Sequence, residues 1–259
     1  MNAPLLATRG LAVRMGRQAI VEGLDLAVRS GERLAILGRN GVGKTTLLHA
    51  LAGLRRPARG AVELDGTPVE ALGGRALAQL RGLLAQHQVD AFPATVLETA
   101  LVGRHPHLTR WDWEGARDER IAREALAALG LDELADRDIG SLSGGERQRV
   151  GIAALIAQQP RLYLLDEPLA HLDLNHQIAV LELFGRLARE RGAGVIMVMH
   201  DVNLALRHAD RVLLLFGDGV HADGPVAETL DEAGLARLYG HPMRRLATAD
   251  FAHPVFVAE

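Results

Sequence analysis

The chain has 259 residues, of which 48% are hydrophobic and 24% charged, and a formal net charge of -3. That length can bury a full core, as one large domain or a core with a subdomain, and the charge balance gives no electrostatic footprint for nucleic acid. The absence of cysteine excludes disulfides and thiolate metal sites and fits a reducing compartment.

Residues 1–11 lack a charged region followed by an apolar run, so no signal peptide is expected. Residues 5–36 alternate and contain turn signals, which predicts antiparallel sheet at an edge. Within that stretch, residues 34–37 form a short apolar run that stops at Gly38, and residues 45–54 follow with a helical pattern. This is a strand–loop–helix unit. Residues 88–158 break the alternation: Thr95 and Glu98 form a capping-box signature, and helices are predicted over 117–129 and 146–158. Beyond them, apolar runs at 161–165, 194–199 and 211–216 read as strands, with helices at 175–190 and 203–209 between them. The most apolar stretches, residues 192–199 and 212–217, fall far short of the roughly 20 residues of a membrane-spanning helix.

Strands alternating with helices predict a mostly parallel sheet flanked by helices, with ligands at the carboxyl ends of the strands. The expected fold is therefore α/β, with an antiparallel β edge and an inserted α-helical subdomain. The core takes residues 1–87 and 159–240, the insertion 88–158, and a tail without assigned chemistry 241–259.

The segment Gly38-Arg-Asn-Gly-Val-Gly-Lys44-Thr45 fits the phosphate-binding pattern of two glycines followed by Lys and Ser/Thr. Backbone N–H groups would wrap the phosphates, the Lys44 ammonium would reach the β- and γ-phosphates, and the Thr45 hydroxyl would bind Mg²⁺. Of 29 basic residues only Lys44 is a lysine. Arginine thus yields at the one place where a compact point charge differs most from a planar fork. Asp166 and Glu167 end an apolar strand, where they could hold Mg²⁺ and polarise a water. Alone, the pair is also an ordinary polar strand end before Pro168. In Leu142-Ser-Gly-Gly-Glu-Arg-Gln148, Ser143 and Glu146 read as a second capping box. Its two glycines cost helix stability unless backbone must approach something closely, so the segment also reads as a second anion site. Two such sites in one chain suggest two copies packed head to tail.

With these residues in order, the chain resembles ABC-type ATPases from about Leu11 to Tyr239, which implies a P-loop NTPase core. Gly38–Thr45 resembles the Walker A loop, Leu142–Gln148 the signature motif and Leu162–Asp166 the Walker B strand. The resemblance implies ATP contacts at Gly38, Asn40, Gly41, Gly43, Lys44, Thr45 and Thr46. Across a homodimer interface it implies contacts at Leu142, Ser143, Gly144, Gly145, Glu146 and Gln148. It further implies catalytic roles for Glu167, His200 and Gln86, with Gln88 close enough to compete for the last. Mg²⁺ would sit on Thr45, Gln86 and Asp166, and the D-loop would be centred on Asp173, with Ala170 and His171 in place of its usual small residues. Met15 stands where the family has an aromatic residue against adenine. A polarizable thioether can cover a ring face, and core packing is the alternative.

Residues 102–107 (Val-Gly-Arg-His-Pro-His) with Trp111, residues 173–177 and residues 200–205 resemble one branch, the ATPases of importers for iron–siderophore complexes, haem and vitamin B12. His105 and His107 read as surface residues, and Trp111 and Trp113 as packing or a permease contact. The implied partners are a polytopic permease, indirectly an extracytoplasmic substrate-binding protein, and no nucleic acid. The implied location is peripheral, on the cytoplasmic face of the inner (plasma) membrane. An exporter or lipid-transport ATPase, or a soluble ABC ATPase without a permease, shares the same catalytic motifs.

Overall fold

In a computed structural model of the chain, residues 3–86, 93–109, 112–247 and 253–259 are described. Gln88 and Trp111 lie outside them. The chain opens with strands β1 (Leu6–Met15), β2 (Gln18–Leu24), β3 (Ala27–Val28) and β4 (Arg33–Gly38), then helix α1 (Lys44–Leu51). Strands β5 (Arg59–Leu64) and β6 (Thr67–Pro68), helix α2 (Gly74–Leu80) and strand β7 (Arg81–Leu84) follow. Helices α3 (Val96–Leu101), α4 (Ala116–Ala127) and α5 (Gly144–Ala157) come next. The alternation then resumes with β8 (Leu162–Asp166), α6 (Leu174–Arg191), β9 (Gly194–Val198), α7 (Val202–His208) and β10 (Arg211–Gly217). The last elements are β11 (Val220–Pro225), α8 (Val226–Thr229), α9 (Glu232–Tyr239), β12 (Met243–Leu246) and β13 (Val255–Ala258).

The principal sheet has the order β11-β10-β4-β9-β8-β7. Its five strands from β10 to β7 run parallel, and β11 closes the edge antiparallel to β10. A second, antiparallel sheet has the order β2-β1-β5-β6, with β3 on β1. The predicted antiparallel edge thus exists, but β4, inside the same 5–36 stretch, leaves it for the parallel sheet. Leu34 to Leu37 are all fully buried, as a strand covered on both faces must be. Helix α1 inserts Leu47, Leu48 and Leu51 into the apolar space shared by both sheets.

Helices α3, α4 and α5 pack on one another, and both capping boxes form. Thr95 accepts from the Glu98 amide, and Ser143 from the Glu146 amide. At their centre Arg104 is 4% exposed. Its guanidinium meets Asp118 at 2.9 Å and donates to the Ala157 carbonyl at 2.7 Å, at the end of α5. A helix carboxyl terminus favours such a cation, and Arg104 in turn holds the Asp118 carboxyl below the usual carboxylate range.

The tail is more regular than its sequence suggests. Helix α9 ends at Gly240 in the left-handed region, and β12 and β13 pair antiparallel. Each strand is four residues long, too short for alternation to stand out.

Replacing Arg104 with alanine leaves the Asp118 carboxylate and a helix-end carbonyl without their partner. A loss of about 3 kcal/mol is expected, the low end for a broken buried pair because Asp118 keeps some exposure. Urea denaturation followed by fluorescence and circular dichroism checks it.

Candidate functional site

Because β4, β7, β8 and β9 run parallel, their carboxyl ends share one edge of the sheet. Gly38 ends β4, Leu84 ends β7, Asp166 ends β8 and Val198 ends β9. The segments leaving these ends carry the phosphate-loop residues, Gln86, Glu167 and His200. They line one cavity of about 350 Å³, together with Met15.

The loop between β4 and α1 is held open at Gly43, whose φ of 104° lies in the left-handed region. A Cβ there would also stand 2.6 Å from the Ile20 side chain, so only glycine fits. No side chain caps α1, and its first turn has no acidic residue, so its amides and positive end face the cavity. Lys44 donates to the carbonyls of Gly38 at 2.8 Å and Arg39 at 3.1 Å. Burial lowers its pKa, and the charges of Glu167 and Asp166 oppose that shift. Met15 is half-exposed at the cavity wall, its sulfur 4.0 Å from the Thr46 hydroxyl.

Asp166 is 0% exposed, and neither carboxylate oxygen has a hydrogen-bond partner among the described residues. Burial pushes its carboxyl up and the charge of Glu167 adds to this. The Thr45 hydroxyl, then His49 and Lys44, pull it back, although Thr45 makes no full hydrogen bond to it. A buried acceptor pair beside a threonine hydroxyl is the donor set that suits a hard divalent cation. These residues fit Mg²⁺.

Glu167 takes a φ of 49°, rare for a residue with a side chain. Its carboxylate is held at both oxygens: Gln86 Nε2 donates to one at 3.0 Å, and His200 Nε2 lies 2.8 Å from the other. A carboxylate can only accept, so Nε2 of His200 carries the proton in this arrangement. Gln86 donates through its nitrogen, which leaves its amide oxygen as the atom able to serve a cation. Glutamine, glutamate and histidine, from three segments 33 or more residues apart in the chain, are thereby one hydrogen-bonded unit.

The 142–148 segment is partly spoken for. The Ser143 hydroxyl donates to the Glu146 carboxylate at 2.7 Å, and that carboxylate also accepts the Ser143 amide. These bonds hold Glu146 below its usual range. The amides of Gly144 and Gly145, the first two of α5, remain without an intrahelical partner. Leu142 and Gln148 point inward: Leu142 is buried, and Gln148 donates to the Pro168 carbonyl at 3.2 Å. A Cβ on Gly145 would stand 2.8 Å from the His171 carbonyl oxygen. Gly145 therefore admits the loop that follows Glu167, an approach the sequence signals only as unexplained glycine in a helix start. Asp173 caps α6, its carboxylate accepting the His176 amide at 2.9 Å.

Outside this edge, the turn at Val102–His107 is tied to α2, since Arg75 and Gln79 both donate to the Pro106 carbonyl. Beside it, a groove of about 720 Å³ is walled by Arg75, Leu108 and Trp113, the last 88% exposed. His107 meets the Gln158 carbonyl at 2.7 Å and His105 faces Glu114 at 3.4 Å.

Sequence comparison matches residues 21–170 to the ABC transporter family. The hemin import ATP-binding protein HmuV of Burkholderia pseudomallei is 41% identical over 264 aligned positions, covering 95% of this chain and 97% of that protein. The achromobactin transport ATP-binding protein CbrD of Dickeya dadantii is 36% identical, covering 97% and 94%. Among solved structures, a putative metal-chelate type ABC transporter in an inward-facing conformation superposes with a TM-score of 0.86 at 31% identity, covering 99% and 98%. A dimeric ATP-binding cassette in a post-hydrolysis state with ADP and Pi gives 0.74 at 28% identity, covering 85% and 98%.

Asparagine at position 166 removes a buried charge that lacks donors. The metal-free Asp166→Asn chain is expected to be more stable than the parent by about 1–3 kcal/mol. It should also lose the extra stabilisation that Mg²⁺ adds to ATP. Melting curves with ATP, with and without Mg²⁺, test both halves.

Proposed function

The chain belongs to the ABC transporter family, as an ATP-binding, ATP-hydrolysing protein, and from that premise we propose that it energises uptake of a metal chelate of the iron–siderophore, haem or cobalamin type through a separate permease. The observation that carries the ATPase half is Glu167, gripped by Gln86 and His200 beside the Lys44 loop. The importer half is supported by relatives named for hemin, petrobactin and achromobactin import or transport, aligned over most of this chain.

In the mechanism we infer, the amides of the 38–45 loop and the Lys44 ammonium bind the β- and γ-phosphates, with Asn40, Gly41 and Thr46 completing the cradle and Met15 against the base. Mg²⁺, held by Thr45, Asp166 and the Gln86 amide oxygen, would neutralise charge on the phosphates. Glu167 orients the attacking water and accepts its proton. His200, already bonded to Glu167, turns its Nε2–H toward the γ-phosphate, which needs only a change of acceptor. In a head-to-tail homodimer, Ser143 and the amides of Gly144 and Gly145 close on the partner's nucleotide. The Ser143–Glu146 bond must then open or share its proton. Asp173 and its loop lie between the two sites.

No described helix is long and apolar enough to cross a membrane. On the proposed reading the permease is a separate chain, and this subunit sits peripherally on the cytoplasmic face of the inner (plasma) membrane. The groove beside exposed Trp113 suits the permease. A substrate-binding protein on the far side would meet only the permease.

Affinity capture of tagged Glu167→Gln chain from detergent-solubilised host membranes, with ATP and Mg²⁺, tests this reading. A polytopic membrane protein should co-purify, and vesicles holding it with the unsubstituted chain should accumulate an iron chelate only with ATP. A soluble partner in its place would move the chain out of transport. Ser143→Arg should lower ATP turnover by at least about 100-fold, as expected when transition-state contacts are lost. ATP capture by the isolated chain should stay within about twofold, because uniform binding is untouched; equilibrium dialysis and phosphate release measure the two.

A further inference from the structure

His200 stands in the short connection between β9 and α7, without strand or helix bonds of its own to fix it. What fixes that connection is the part of the chain to which no chemistry was assigned. Asp201 caps α7 by accepting the amides of Asn203 at 2.7 Å and Leu204 at 3.0 Å. Asn203, the second residue of the helix, makes a reciprocal pair with Phe256 in β13. Its Nδ2 donates to the Phe256 carbonyl at 3.0 Å, and its Oδ1 accepts the Phe256 amide at 2.8 Å. An asparagine amide bonded at both ends to one residue's backbone imitates a strand neighbour, and it fixes the strand and the helix in register. Phe256 is 3% exposed and joins the main apolar core, so the hairpin is seated and does not merely touch the surface.

A second grip comes from the other end of the same segment. The Tyr239 hydroxyl, in the last turn of α9, donates to the His200 carbonyl at 3.4 Å, a long bond. Burial, and then the charge of Asp201, push the Tyr239 phenol up to about 12, so it keeps its proton. Next to it the Arg39 guanidinium lies 3.5 Å from where a Cβ on Gly240 would stand. Tyr239 thus holds the His200 backbone directly.

We propose that the C-terminal hairpin, locked to α7 through Asn203, is a positioning clamp that sets where His200 stands relative to Glu167. The inference rests on the reading of His200 as the group that contacts the γ-phosphate. Asn203 touches neither nucleotide nor Glu167, so it is a positioning residue and acts through His200. The clamp explains why a half-buried asparagine side chain and the backbone of a buried aromatic residue, 53 residues apart, share two hydrogen bonds. A histidine displaced by about an ångström loses much of its effect on the transition state while the bound ground state is little changed.

The test uses the full-length chain with Asn203→Ala, which removes both bonds, and with Phe256→Ala, which unseats the hairpin and leaves α7 intact. For each, kcat and KM for ATP are measured, and the side-chain nitrogen resonances of His200 are followed in histidine-labelled protein. We expect kcat to fall about fivefold with KM within about twofold, the signature of a transition-state effect. The His200 resonances should move in both variants. In a His200→Ala background, Asn203→Ala should cost less than about 1.5-fold more, because coupled residues are not additive. Unmoved His200 resonances, or an equal loss with and without His200, overturn the clamp. If His200→Ala itself keeps full turnover, the reading of His200 fails and the clamp with it. If His200→Ala abolishes turnover while Asn203→Ala leaves kcat intact, only the clamp fails. Should Phe256→Ala not fold, Asn203→Ala decides alone, with Asn203→Ser, which retains one hydroxyl for the Phe256 amide, expected between it and the parent.

Discussion

Everything at the site depends on Asp166 ending a buried parallel strand with a carboxylate that accepts no hydrogen bond among the described residues. Strand β8 is buried at every residue, between β7 and β9, so its last carboxylate cannot reach water. Leaving such a group without a donor costs on the order of 1–3 kcal/mol, and Glu167 beside it worsens the repulsion. Lys44 faces the matching problem, a buried ammonium whose hydrogen bonds go to carbonyls rather than to a carboxylate. The two opposite charges shift one another without forming an ion pair. A direct Lys44–Asp166 bridge would relieve both, and it would also fill the space that phosphate and cation need. Stability is given up here for a site already shaped for a charged ligand.

The same economy governs the loop that follows. Glu167 turns out of the strand with a left-handed φ, as does His171 four residues later. Such backbone costs energy and persists only where its surroundings enforce it. Gln148 fastens the Pro168 carbonyl from α5, and Gly145 lets the His171 carbonyl approach the start of the same helix. The start of α5 is therefore braced against the loop that carries Glu167. A shift of α5 cannot leave that loop unmoved. On the proposed reading, this is how closure of a dimer and assembly of the hydrolytic site become one event.

The sheet edge was legible in the sequence because it is written in local signals. Glycine spacing before Lys44, an apolar run ending in Asp166 and Glu167, and a run ending before His200 all place chemistry at strand ends, where a parallel sheet brings it together. The helical block was legible from the capping boxes at Thr95 and Ser143. Tertiary facts were not. The order of strands, the transfer of β4 out of the antiparallel edge, and the Arg104–Asp118 pair all depend on distant partners. The capping box read at Ser143 and Glu146 forms, with Glu146 taking the Ser143 hydroxyl and amide, while the anion-site reading of residues 142–148 remains part of the proposed function. The tail was missed altogether: two four-residue strands joined across a long gap carry no periodicity, and Asn203 shows nothing in sequence of its bond to Phe256.

Specificity in such a subunit belongs to a surface rather than to the cavity. The cavity is lined by groups that read phosphate, cation and water, and none of them can distinguish one transported compound from another. The groove beside the 102–107 turn is different in kind. It is open, mainly apolar in its lining, and walled by a tryptophan left almost wholly exposed. It is also mechanically continuous with the site, because Arg104 ties its turn to the end of α5, and α5 begins at Ser143. A partner seated in that groove would feel every displacement of α5, whatever its cargo. On the proposed reading, one rigid helix, with its start at the phosphates and its end at the partner, would be enough to link hydrolysis to a membrane protein without either site knowing the chemistry of the other.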